Sequence, residues 1–226
     1  MYEAIFVSDA HLGSSKNGKF FLEFLEDIKC KKLFLIGDLI DVVCDNPEPI
    51  LDDFFKIIKN KECEVYYFLG NHEKENPNIK KLLNHYYKDK KLYDSHIYNG
   101  IKYKIFIEHG DSFHNKDIFN RTLKYSLYTL KKFLFKNKDK KAKLASKKGI
   151  YYKIKPFIRD ILYNSFTKYM INQAKKNNCN AIICGHLHHP QIQQSNPIYV
   201  NCGDWLKYNS FIAEDTKGNL ELKIFK

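Results

Sequence analysis

Metal-binding chemistry is written into the sequence at five places. Asp9 and His11, Asp38 and Asp41, Asn71 and His72, His109, and His186 and His188 each stand just after a short apolar run. Carboxylates, imidazoles and an amide oxygen together suit borderline-to-hard divalent ions such as Mn²⁺, Fe²⁺ or Zn²⁺. Sulfur is absent from this set, which argues against a structural zinc site. Each piece alone has an ordinary explanation: Asp forms turns, a loop His hydrogen-bonds locally, and Gly takes up positive φ. Five such loops in one chain, each at the end of an expected strand, point to a shared centre where open α/β folds build their sites.

The elements that must position these residues follow from periodicity. Residues 3–7 read as a strand, Phe20 to Ile28 as an amphipathic helix, and Lys32–Ile36 as a second strand ending at Gly37-Asp38. The rhythm repeats with a helix over 49–60, a strand over Glu64–Leu69 ending at Gly70-Asn71, and a polar helix over 77–87. Two strands are expected at 93–98 and 101–107, joined by an Asn99-Gly100 hairpin turn. Ala181–Cys184 reads as a buried strand, and the tail as short antiparallel strands near 191–200, 209–214 and 219–225. These expectations define an α/β protein.

The 226 residues carry 38 Lys+Arg against 26 Asp+Glu, with 44% hydrophobic and 15% aromatic content, which excludes a disordered chain. Residues 117–176 hold 17 of the basic side chains and 3 of the acidic ones, an excess of +14, and the remainder carries −2. Helical spacing and interleaved aromatics mark this segment as an insertion within a single domain spanning 1–226. No linker separates two domains. The start of the chain lacks a secretion signal and no apolar run can span a bilayer, so a cytoplasmic protein, peripheral on a membrane at most, is expected. The six cysteines show no metal-ligand spacing and read as buried thiols.

The ordered set Asp9-Ala10-His11, Gly37-Asp38-Leu39-Ile40-Asp41, Gly70-Asn71-His72-Glu73, His109-Gly110 and Gly185-His186-Leu187-His188 resembles the calcineurin-like metallophosphoesterases. The resemblance implies a four-layer α/β/β/α sandwich and a centre of two metal ions, with Mn²⁺ the expected ion. One ion would be held by Asp9, His11, Asp38 and His188, the other by Asp38, Asn71, His109 and His186, with Asp38 bridging. Such a pair polarises a phosphoryl group and supplies hydroxide near neutral pH. His72 would face the substrate as phosphate ligand or general acid, oriented by Asp41.

The downstream residues Gly185 to Pro190, Tyr199-Val200-Asn201-Cys202-Gly203-Asp204-Trp205 and Ala213-Glu214-Asp215 are similar to the UDP-2,3-diacylglucosamine diphosphatases of lipid A synthesis. That similarity implies cleavage of a UDP-linked lipid to UMP and a lipid monophosphate. His72 departs from the group, whose best-established members carry Arg there. Val42 departs from protein Ser/Thr phosphatases, which carry Arg directly after the second Asp. Alternatives on the same centre are a nuclease, a cyclic-nucleotide phosphodiesterase, or a binding scaffold without turnover. The basic segment would serve as a lid that meets an anionic membrane surface or, alternatively, nucleic acid.

Overall fold

The computed structural model describes residues 1–14, 16–41, 49–87, 91–113 and 141–226. Two compact units divide the chain: Met1–Asp111 with Met170–Lys226, and Ser112–Tyr169.

The first unit is built on two sheets. One contains β1 (Tyr2–Val7), β2 (Cys30–Ile36), β3 (Glu64–Phe68), β4 (Leu92–Tyr93), β10 (Ser210–Glu214) and β11 (Leu220–Ile224), in the order β11-β10-β1-β2-β3-β4. The other contains β5 (Ser95–Asn99), β6 (Lys104–Glu108), β7 (Ala181–Cys184), β8 (Gln191–Gln193) and β9 (Ile198–Asn201), in the order β5-β6-β7-β9-β8. Strands β1, β2 and β3 pair in parallel, as do β6, β7 and β9. Three carboxyl ends of each sheet therefore emerge on the same side of their own sheet.

Near-continuous apolar runs such as Leu33-Phe34-Leu35-Ile36 are what a strand buried on both faces requires. Phe6, Phe34, Ile36 and Phe68 face Ile105, Ile107, Ile183 and Val200 in a core between the sheets. Their neighbours Ile5, Val7, Leu33 and Leu35 point the other way, against Phe21, Phe24 and Leu25 of α1 (Gly18–Asp27), Phe54 of α2 (Pro49–Lys59) and Leu83 of α4 (Pro77–Tyr86). On the second sheet the outward-facing Phe106, Ile182 and Tyr199 are buried too, as are Met170 and Ala174 near the end of α5 (Lys141–Lys176). This is the expected mixed α/β sandwich.

Three local expectations need correction. The stretch 93–98 is not one strand: Leu92–Tyr93 pairs with β3 in the first sheet, and the chain crosses at Asp94 to start β5 in the second. The hairpin does not turn on Asn99-Gly100. Asn99 pairs with Lys104, so residues 100–103 form a four-residue loop, held by the buried Glu214 carboxylate accepting from the Ile101 N–H at 2.8 Å. The tail strands are antiparallel in pairs but divide between the two sheets, with β9 parallel to β7.

One further helix, α3 (Asn71–Glu75), is a single turn that directly follows β3. Its Glu73 is fully buried and accepts backbone N–H bonds from Asp38 (2.8 Å), Leu39 (2.7 Å), Ile40 (3.3 Å) and Gly70 (2.9 Å). One carboxylate thus fixes the loops after β2 and β3 to each other. Glu73→Ala is expected to cost at least about 3 kcal/mol in urea unfolding, because several buried donors lose their acceptor together. A loss below about 1 kcal/mol would contradict that account.

In the second unit, Phe113 packs edge-on against Phe166 at 5.3 Å, and Ser112 meets the Tyr169 hydroxyl at 3.2 Å. Of the basic segment, residues 117–140 lie outside the described residues, and 141–176 is the helix α5. No helix among the described residues is long and apolar enough to cross a membrane. No disulfide joins the cysteines among the described residues, and Cys44 lies outside them.

Candidate metal centre

Every sequence-derived ligand sits just beyond the carboxyl end of a parallel strand: Asp9 and His11 after β1, Asp38 after β2, Asn71 after β3, His109 after β6, and His186 and His188 after β7. The loops are stitched together by backbone hydrogen bonds, Asp9 N–H to Gly37 at 3.1 Å, His11 N–H to Asp38 at 3.1 Å, and Gly185 N–H to His109 at 3.1 Å. The two sheets are joined here through side chains as well. Asp9 Oδ2 accepts from the His186 N–H at 3.0 Å, and His109 Nδ1 donates to the Ile36 carbonyl at 2.9 Å.

Backbone strain is concentrated at these positions. Asp9, His11, Asp38, His186 and His188 all have φ between 48° and 69°, a region that costs a residue with a side chain about 1–2 kcal/mol. They are five of the seven non-glycine residues with positive φ among the described residues. Close approach explains two of the motif glycines. A Cβ on Gly70 would lie 2.2 Å from Asp38 Oδ1, and one on Gly185 2.4 Å from Asp9 Oδ2.

The ligand atoms form two inner groups, Asp9 with His11 and His188, and Asp38 with His109 and His186, each within 4.8 Å of one another. A partner on Nδ1 turns Nε2 inward for four imidazoles. His11 Nδ1 meets Asp41 Oδ2 at 3.0 Å, His72 Nδ1 meets Asp41 Oδ1, His109 Nδ1 meets the Ile36 carbonyl, and His188 Nδ1 meets Asp204 Oδ2 at 3.2 Å. This is the outer support that metal-ligating histidines receive. His11, Asp41 and His72 also cluster, but both rings spend Nδ1 on Asp41, so its place is to orient them.

The residues present fit cations. Asp9 Oδ1, His11 Nε2, Asn71 Oδ1 and His109 Nε2 are buried and find no hydrogen bond in the protein. Buried polar atoms are rarely left so. His109 Nε2 faces Asp38 Oδ2 at 3.2 Å, and His188 Nε2 faces Asp9 Oδ1 at 3.3 Å. Pairs of lone-pair atoms at such distances need a proton or a metal ion between them. Asp38 offers Oδ2 for this, since Oδ1 already accepts from the His72 N–H at 2.9 Å.

Electrostatics points the same way. Burial raises Asp9 above the usual carboxylate range, whereas for Asp38 burial is outweighed by His109 and the His72 N–H, which hold it well below. Asp41 is brought down to about 2, because hydrogen bonds from His11 and Ser14 outweigh its burial. Burial pulls His109 down, but the Asp38 and Asp9 carboxylates push it up to about 10.

A His that binds its proton more tightly folded than unfolded adds stability fully below its ordinary value of 6.5, and that stability is lost as pH rises toward 10. The chelator-treated protein should therefore melt at progressively lower temperature between about pH 7 and 9, and added divalent cation should restore most at the alkaline end, where it replaces the proton. A flat or rising melting temperature for the chelated protein would contradict this.

The family model for calcineurin-like phosphoesterases matches residues 3–190. The chain belongs to this family. Among solved structures, a novel archaeal phosphodiesterase is similar at 14% identity and a TM-score of 0.52, covering 98% of this chain and 99% of that one. Vps29 from Chaetomium thermophilum is similar at 10% identity and a TM-score of 0.51, covering 97% and 92%. Both likenesses concern the fold. No curated protein matches the sequence.

Within this calcineurin-like phosphoesterase one contributor and one further contact go beyond the sequence-derived set. Asp204, after β9, holds His188 and also accepts the N–H groups of Lys207 (2.8 Å) and Tyr208 (3.1 Å). Gly203-Asp204 repeats the Gly-Asp pattern of Gly37-Asp38 after a strand, the one sign of this in the sequence. Asp41 supports His11 as well as the expected His72. Trp205 stacks into the α1 core against Phe21 and Phe24 at 4.9 and 4.6 Å. Asp204→Asn should weaken metal affinity about 10- to 100-fold with the fold intact, measured by competition with a chromogenic chelator. Unchanged affinity would remove Asp204 from the centre.

Proposed function

We propose that this protein is a phosphoester hydrolase working with two divalent cations, one of which would be held by Asp9, His11, Asp38 and His188 and the other by Asp38, Asn71, His109 and His186, with Asp38 common to both. The observation that carries this reading is the pair of inward-facing His/Asp groups, in which Asp9 Oδ1, His11 Nε2 and His109 Nε2 are buried without a hydrogen-bond partner in the protein. When bound, the ions would supply Lewis-acid charge to the phosphoryl group and make hydroxide available near neutral pH. The mixed imidazole, carboxylate and amide donors favour Mn²⁺, with Fe²⁺ and Zn²⁺ as alternatives.

His72 would complete the reaction. Its ring is 39% exposed, its Nδ1 is held by Asp41, and its Nε2 lies 3.9 Å from Asp38 Oδ2. In the imidazolium form Nε2 can give its proton to the departing oxygen, with the Asp41 carboxylate holding the ring in place through Nδ1.

The finer reading is a diphosphatase acting on UDP-2,3-diacylglucosamine or a related UDP-lipid. It is supported by the similarity of residues 185–215 to that group. Part of that similarity has a simpler basis, because Asp204 braces a ligand and Trp205 packs the core. The excess of +14 over residues 117–176 would suit an anionic lipid surface.

Purified protein loaded with Mn²⁺ should hydrolyse bis-p-nitrophenyl phosphate, and a mass-spectrometric screen of UDP-lipid, cyclic-nucleotide and nucleic-acid substrates should return UMP from the first. Absence of any hydrolysis with metal bound would favour a scaffold. Hydrolysis confined to nucleotides or nucleic acid would replace the lipid reading.

A further inference from the structure

A cleft of about 450 Å³ opens beside the centre, lined by Asp41, Asn71, His72, Glu75, Asn76 and Ile79 together with Pro77. Three of these, Asp41, Asn71 and His72, are residues of the candidate site itself, so a phosphoryl group held there would have one of its substituents beside His72 and this space. The lining among the described residues contains two carboxylates and no Lys or Arg. Asp41 is already spent: Oδ2 accepts from His11 and from the Ser14 hydroxyl at 2.7 Å, and Oδ1 meets His72. Glu75, exposed at the end of α3, is the carboxylate left to meet a substrate.

The nearest cation along the chain is unavailable. Lys74 Nζ lies 2.9 and 3.1 Å from the two Asp111 oxygens and 3.3 Å from Asp94, so its charge is committed to the loops after β6 and β4. A leaving group carrying a further negative charge would thus enter this cleft against Glu75, with no Lys or Arg opposite among the described residues and His72 engaged with the departing oxygen. A hydroxyl-bearing, neutral or cationic group would instead meet the Glu75 carboxylate without that repulsion.

We propose that this cleft receives the leaving group of the substrate and that Glu75 selects a neutral or cationic one over an anionic one. The proposal rests on the hydrolase reading above and narrows its substrate class to phosphoesters with an uncharged or cationic leaving group, which sets it against the diphosphatase reading, where the leaving group is itself an anionic phosphate. In the step concerned, the bond from phosphorus to the leaving oxygen breaks, the oxygen of water forms the new bond to phosphorus, His72 Nε2 gives its proton to the leaving oxygen, and the proton lost by water passes to solvent. Glu75 makes no bond in this sequence. It acts on which substrate is accepted.

The test uses methyl aryl phosphates whose phenol carries a neutral, a carboxylate or a trimethylammonium substituent, with the full chain loaded with Mn²⁺. The wild type should show kcat/KM for the cationic phenol about threefold to tenfold above that for the carboxylate phenol, beyond their difference in uncatalysed reactivity. Glu75→Gln should level the two, and Glu75→Lys should reverse the order, with the neutral substrate changed less than about twofold. Turnover retained with the same order in Glu75→Lys overturns the subsite and leaves the hydrolase reading standing. Failure of metal-loaded wild type to cleave any of the three overturns both.

Discussion

Asp38→Ala is expected to lower turnover by about 10⁴-fold or more and to leave the purified protein with little bound metal. Three features of the geometry require so large an effect. Asp38 Oδ2 is 3.2 Å from His109 Nε2 and within the group that includes His186, so its removal takes charge and a donor from the second ion. Its sharing with the first ion, as proposed, would weaken that site as well. Its Oδ1 also accepts from the His72 N–H, so the loop carrying Asn71 and His72 loses an anchor. Asp38→Asn separates these contributions. The amide retains an oxygen for the His72 N–H but lacks the charge, so it should lose metal while keeping more of the metal-free melting temperature than Asp38→Ala does. Metal content near wild type in both variants would contradict the role given to Asp38.

His72→Ala should produce the opposite pattern: metal retained, and kcat reduced about 10²- to 10⁴-fold. No metal group requires His72, and its ring is partly exposed, so neither metal loss nor substantial unfolding is expected. The loss should depend on the leaving group. A p-nitrophenolate departs without protonation and should lose little, whereas an alkoxide leaving group needs the proton and should lose most of the rate. A uniform loss across leaving groups would mean that His72 binds phosphate and donates no proton. Equal metal loss in His72→Ala and Asp38→Ala would remove the distinction between them.

The clustering of the candidate ligands was legible because such residues are placed by a simple rule. Apolar runs such as Ala4 to Val7 and Leu33 to Ile36 announce strands, and the polar residues that break them must lie where the chain leaves the sheet. All seven expected ligands do so. What the rule cannot convey is which strands are neighbours. Leu92–Tyr93 and Ser95–Asn99 share one alternating pattern, yet they belong to different sheets, and alternation carries no information about a change of partner at Asp94. Asn71–Glu75 is too short to display a helical period. Asn99-Gly100 offers a good tight turn, but Glu214, more than a hundred residues away, holds a longer loop in its place.

The outer supports were hidden for a related reason. Glu73 follows His72 in sequence and could be taken for part of the reactive set, but its carboxylate points into the protein and binds four backbone N–H groups. Asp204 is sixteen residues from His188 and meets it only because β9 lies beside β7. The strained φ values at five of the expected ligands have no signature in residue type, since Asp and His are common in ordinary loops. Strain of that kind is retained where surrounding contacts overdetermine the backbone, here the loop-to-loop hydrogen bonds and the Glu73 carboxylate.

Anomalous diffraction from crystals soaked in Mn²⁺ addresses the shared-carboxylate centre most directly. The account predicts two peaks about 3.5–4 Å apart, one contacted by Asp9, His11 and His188, the other by Asn71, His109 and His186, with Asp38 reaching both. A single peak, or two peaks with Asp38 bound to only one, would contradict it.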